Sequence, residues 1–146
     1  MLKGINWISV LVAFVAVELL GYLWYAVVFS KDWMAEMTAL GLKPDTSSSG
    51  QTTALAIGAV LIVLQVLGVS WLLQRIGATT LMAGVTGALT AYVFFALPTQ
   101  GMEYAYMGFP AKLMAINCGQ LLIAYLLAGA VLGGLKLGRP AAAAAA

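Results

Sequence analysis

The chain has 146 residues, 63% apolar and 8% charged, with a formal net charge of +2 and a mean hydropathy of +1.00. A soluble domain carries about 25% charged residues, so this chain cannot face water all round, and lipid must be its main solvent. It has no histidine and one cysteine, Cys118, which excludes a disulfide framework and speaks against haem, zinc or iron–sulfur ligation and for no cofactor; so small a net charge implies no nucleic-acid surface.

The first apolar stretch, Ile5–Phe29, is 25 residues long. A secretory h-region has roughly 7–15 residues, and no small-residue cleavage site follows, so the stretch reads as a retained span. The polar stretch 30–53 comes next. In it Trp33, Met37 and Leu40 share one helical face, which predicts a short interfacial helix over Lys31–Leu40. Lys43-Pro44-Asp45 and Ser47–Gly50 read as a turn and a loop. The second span is expected over Ala54–Leu73, followed by a tight connection at Gln74–Gly77. The third is expected over Ala78–Leu97 and is expected to end at Pro98. The segment Thr99–Lys112, with Tyr104, Tyr106 and Phe109, reads as a loop in the headgroup belt. The fourth span is Leu113–Leu135. The fold class is therefore all-α: an integral membrane four-helix bundle over 1–137, with a tail at 138–146. The closing Ala141–Ala146 run reads equally as a genuine tail, a cloning scar or a placeholder, and carries no fold information.

Polar groups at depth are the candidate functional residues. Glu18 lies near the middle of span 1. A charge there costs a few kcal/mol on insertion scales, so it must face protein or water. Helical spacing puts Trp7, Leu11, Phe14, Glu18, Tyr22 and Tyr25 on one stripe, which is expected to face inward. Gln65 in span 2 and Asn117 and Gln120 in span 4 would complete an intramembrane polar cluster with Glu18, Tyr22 and Tyr25. Such groups act either as interhelical glue, worth about 0.6 kcal/mol on average, or as a site for an ion, a proton or a small polar ligand. No Lys or Arg lies inside any span, so no intrachain salt bridge is on offer to Glu18. Gly129 and Gly133 form a G-x-x-x-G pattern that lets backbones approach closely, either within the chain or between chains. Trp24 and Trp33 read as interfacial anchors. There is no Ser/His or Cys/His pair, no H-E-x-x-H, no phosphate loop and no paired intramembrane carboxylates; no catalytic or metal-ligating residue is expected, and no enzyme activity.

The order Asn6-Trp7, Gly21-Tyr22-Leu23-Trp24-Tyr25, Phe29, Lys31, Trp33-Met34, Gly108-Phe109 and Ile116-Asn117 resembles domain-of-unknown-function family 1761, small bacterial four-helix membrane proteins. The G-x-x-W-Y then K-x-W-M segment is its most specific part, and the likeness runs to about Leu137. The resemblance implies four spans and supplies no activity. The expected function is that of a structural or accessory component of a bacterial inner membrane, touching the lipid bilayer and other membrane protein subunits or forming a homo-oligomer. The alternative is a small transporter or channel subunit with a polar path around Glu18.

Four spans put both termini on one side. That side holds Lys3, Arg75, Lys136 and Arg139, all close to span ends; the other holds Lys31, Lys43 and Lys112 together with Asp32, Glu36, Asp45 and Glu103. The positive-inside rule then favours cytoplasmic termini. A reporter fused to the C-terminus is expected to be active in the cytoplasm, and a cysteine placed at Ser48 to be labelled by an impermeant reagent from the opposite side. A C-terminal reporter active outside the cell would overturn this topology.

Overall fold

The structure, a computed structural model, describes residues 4–42, 45 and 47–135. Lys3, the Lys43-Pro44 turn and the tail 138–146 lie outside the described residues. Among those described there are helices and no strands: α1 (Trp7–Val28), α2 (Ser30–Ala39), α3 (Ser48–Arg75), α4 (Leu81–Met107) and α5 (Ala111–Gly134). Four of these helices are long and apolar enough to cross a membrane, and the chain is a multi-pass membrane helical bundle.

Local chemistry sets the starts and stops. The Asn6 side chain accepts from Ser9 N and caps α1. Ser47 caps α3 through Gly50 N, and Thr80 caps α4 through Ala83 N. Each of these oxygens satisfies an amide that the first helical turn leaves without a carbonyl. Gly77 and Gly108 stand just beyond α3 and α4 with φ +66°, the left-handed conformation that only glycine adopts without a steric penalty.

The third span departs from expectation. Its helix runs through Pro98 to Met107, so Thr99–Met107 is helix and the connection shrinks to Gly108–Pro110. A proline inside a helix removes one amide and crowds the carbonyl four residues back. Here the five residues before Leu97, Tyr92–Ala96, form a wider π turn, and the Leu97 amide donates to Tyr92 O. The Thr99 hydroxyl donates to Phe95 O at 2.7 Å. These bonds carry the ladder past the proline. The first span has a π turn as well, over Leu23–Val28. The second span begins at Ser48, six residues earlier than its hydropathy suggests, because a polar first turn is still a capped helix.

Small residues decide the packing. α5 is central: it packs most extensively against α4, then against α1 and α3. Ala124 and Ala128 on α5, Ala13 and Val17 on α1, Val66 on α3 and Ala88 on α4 have almost no exposed surface. A Cβ on Gly84 of α4 would run into the Gly129 carbonyl oxygen and come 2.8 Å from Gly133 Cα; a Cβ on Gly129 would stand 2.5 Å from the Ala88 Cβ. Gly129 and Gly133 therefore meet α4 inside the chain. Gln120, on the other side of α5, lies against Gly21 of α1, its Nε2 3.9 Å from where a Gly21 Cβ would stand. Both faces of α5 are used because it sits between two neighbours.

The face of α1 turned to its neighbours carries Ser9, Val10, Ala13 and Val17. This corrects the expected inward stripe: Trp7, Leu11 and Tyr22 are exposed, and Phe14 and Glu18 are half-buried at its edge. Ser9, Ala13, Val17 and Gly21 recur every four residues, and small side chains in that register let a helix come close. An aromatic stripe cannot. The start of α1 lies beside the end of α5, where the Ser9 hydroxyl donates to Leu135 O at 3.2 Å.

Gly84→Ala tests the tightest contact. The obstructing atoms are backbone, so the helices must separate, and a loss of about 1–3 kcal/mol is expected, read by unfolding in mixed micelles of rising SDS fraction. An unchanged unfolding midpoint would contradict the packing described.

Candidate functional site

The π turn of α1 brings two consecutive side chains onto consecutive positions of α5. The Trp24 indole N–H donates to Ile116 O at 3.0 Å, and the Tyr25 hydroxyl donates to Asn117 Oδ1 at 2.8 Å. A regular helix turns neighbouring residues about 100° apart; the wider turn brings them closer in direction. Gly119 makes room for the indole, since a Cβ there would lie 3.4 Å from Trp24 Cζ2. The other end of the Asn117 amide donates to the Tyr104 hydroxyl at close range. One asparagine thus ties α1, α4 and α5 together.

Aromatic rings pack around this knot. Trp33 of α2 meets Tyr25 edge-on at 5.7 Å, Phe109 meets Tyr104 edge-on at 5.3 Å, and Phe29 leans on Trp24 at 4.7 Å. Outside the rings Lys112 of α5 pairs with Asp32 at 2.6 Å and with Glu36 at 3.8 Å. The lysine and Asp32 are about half exposed, where an ion pair contributes about 0–1 kcal/mol. From the exposed edge inward the order is ion pair, aromatic layer, hydrogen-bonded knot. Together they seat α2 across the end of the bundle.

The six residues expected to form one intramembrane polar cluster divide. Tyr25 and Asn117 meet. Glu18, Tyr22, Gln65 and Gln120 do not join them, and among the described residues Glu18 makes no hydrogen bond or ion pair. Tyr22 points away from the bundle, at 65% exposure. The Gln65 Nε2 is buried without an acceptor. Glu18 and Tyr22 lie off the packed face of α1, and membrane depth alone does not bring Gln65 and Gln120 to Asn117. The Trp24 indole turns inward to a helix carbonyl. Tyr104 was hidden by the expectation of a loop after Pro98, and Lys112 by its position at a span end. Tyr104 is seven residues from Leu97, two helical turns, a spacing that would have revealed it had the helix been continued.

The knot is made of neutral hydrogen-bonding groups. It is built of two tyrosine hydroxyls, an indole and an amide, and among the described residues no three His, Cys, Asp or Glu side chains gather as metal ligands would. What this arrangement does is hold helices in register at one end of the bundle. Away from the knot, the Tyr92 hydroxyl donates to Cys118 O at 2.9 Å and the Tyr92 ring leans on Tyr125 at 5.8 Å, a second tie between α4 and α5.

A family model described as "Protein of unknown function (DUF1761)" matches residues 8–133, and the chain belongs to that family. No curated protein matches the chain, and no solved structure does. Of the residues that carry the resemblance, Trp24, Tyr25, Phe29, Trp33, Phe109, Ile116 and Asn117 lie in or around the knot.

Removing the asparagine strands two hydroxyls, whereas removing one hydroxyl strands half an amide. Asn117→Ala is expected to destabilise the bundle by about 1–2 kcal/mol and Tyr25→Phe by about 0.6 kcal/mol. In the Asn117→Ala background Tyr25→Phe should cost almost nothing more. Full additivity of the two changes in SDS unfolding would show that they do not form one network.

Proposed function

We propose that this member of the DUF1761 family is a structural or accessory component of a bacterial inner membrane, no enzyme, working through helix–helix contacts with other membrane proteins or with itself. The observation that carries this reading is Glu18. It lies near the middle of α1, half-buried at the edge of the packed face, with no hydrogen-bonding partner among the described residues. A short acidic side chain in mid-membrane cannot reach the headgroups. No described residue satisfies it, and a polar group on a helix of another membrane protein or of a second copy answers that need.

The form of α3 supports the same reading. No residue from Ser48 to Leu64 is buried, and Leu55, Ile57, Val60, Leu61 and Leu64 are all more than half exposed. Much of this stretch is exposed, with Gly58, Ala59 and Ile62 half-buried against the bundle. Glu18, Gln65 and Gln120, which a transport path would have to link, make no hydrogen bonds to one another among the described residues, and this favours contact over transport.

Purification in mild detergent followed by identification of co-purifying proteins tests the reading. A stoichiometric partner or a defined homo-oligomer is expected, and Glu18→Leu should weaken it, while Glu18→Gln, which keeps an acceptor and adds donors, should retain it. A chain that purifies alone as a monomer, from lipid as well as from detergent, would overturn the proposal. A Glu18→Gln variant that assembles normally yet abolishes an ion or solute flux would replace it with the transport reading.

A further inference from the structure

A small polar cavity lies where α1 begins and where α3 and α5 end. It measures about 50 Å³, and Asn6, Ser9, Ser70 and Gln74 line it. Gly4 and Gln74 are exposed and form its rim, while the buried side chains of Leu73 and Leu132 close it on the apolar side. Gly4 stands before α1 and Gln74 in the last turn of α3, so the rim lies at the membrane surface, where water is at hand.

Ser70 is the one polar residue on the buried face of α3, at 5% exposure. A serine or threonine inside a helix often returns its hydroxyl to the carbonyl four residues back. Thr38, Thr52, Thr53 and Thr90 do so in this chain. Ser70 does not, and its hydroxyl makes no hydrogen bond among the described residues. A buried hydroxyl without a partner is costly and is normally satisfied. Across the cavity Ser9, 1% exposed, gives its proton to Leu135 O and keeps its lone pairs for an incoming donor. The Gln74 amide carries donors and an acceptor, with its Oε1 turned toward Gly4.

The lining decides the class of occupant. It mixes donors with acceptors and holds no charged side chain, so neither a cation nor an anion finds a counter-charge there. A water needs roughly 10–15 Å³ of such space, so the cavity takes one water or a few and no larger solute. We propose that it is a water-binding site in which a water accepts from the Ser70 hydroxyl and donates to Ser9 Oγ, with Gln74 closing the cluster at the rim. A bridging water holds two groups nearly as well as a direct hydrogen bond. This one ties α3 to the start of α1, as the Asn117 knot ties the end of α1 to α4 and α5.

The test is water-edited solid-state NMR on the full chain in liposomes, which reads the rate at which water magnetisation reaches each carbon. Ser9 and Ser70 are expected to receive it several-fold faster than Val10 and Val69, their buried neighbours at the same depth that do not line the cavity. Ser70→Val, which replaces the hydroxyl with methyl groups, should slow the transfer to Ser9 several-fold. Serines as dry as the two valines would overturn the site, and so would transfer to Ser9 that Ser70→Val leaves unchanged. At fixed ionic strength, exchange of sodium or potassium for choline should not move the unfolding midpoint in mixed micelles. A stabilisation by one alkali cation that Ser70→Ala removes would overturn the water assignment and put an ion in its place.

Discussion

Lipid gives two helices no hydrophobic reason to touch. Acyl chains are as apolar as leucine, so association inside a bilayer rests on close van der Waals approach and on polar groups that lipid cannot satisfy. This constraint orders the whole molecule. The most buried side chains are alanine and valine, while many leucines and isoleucines look outward. In a water-soluble bundle that distribution would be inverted. The glycine contact between α4 and α5 and the asparagine knot are the two answers to the same constraint, one by proximity and one by hydrogen bonding. They lie at different heights: Gly84, Gly129 and Gly133 toward the end where α1 begins and α5 finishes, Asn117 toward the end capped by α2.

The π turns link these two answers. An irregular turn in a membrane helix is tolerated where its backbone groups find partners, and both turns here sit where an aromatic side chain must reach α5. In α1 the turn places Trp24 and Tyr25 on Ile116 and Asn117. In α4 it begins at Tyr92, whose hydroxyl reaches Cys118 O. The second turn also lets the helix absorb Pro98 and continue for nine more residues, which delivers Tyr104 to the knot. Without it, α4 would end below the level of Asn117 and the amide would lose a partner.

How far this was legible in the sequence depended on which physical signal was in play. Hydropathy and length gave four spans and an all-α membrane fold, because the requirement for about 20 apolar residues per crossing is strict. The helix over Ser30–Ala39 was legible from its one-sided pattern. The end of span 3 was not, because proline is a reliable breaker only where no wider turn precedes it. The inward face of α1 does not follow its aromatic and acidic residues; the signal of closeness in the sequence is Ser9, Ala13, Val17 and Gly21 at every fourth position. Asn117 was named from its depth, but its partners Tyr25 and Tyr104 come from two helices far apart in sequence, and no local pattern joins them.

The chain is therefore unevenly finished. Around α5 every approach is close and most polar groups are paired. On the outer flank of α1 and along the outer face of α3 they are not. Among the described residues Glu18 has no hydrogen-bonding partner, the Gln65 Nε2 has no acceptor, and a Cβ at Gly58 or Gly68 would meet nothing within 4 Å. Lipid can fill space, but it offers no hydrogen bond at mid-membrane depth. At that depth Glu18 makes no hydrogen bond among the described residues and the Gln65 Nε2 has no acceptor, so close packing and polar pairing are met unevenly along the chain.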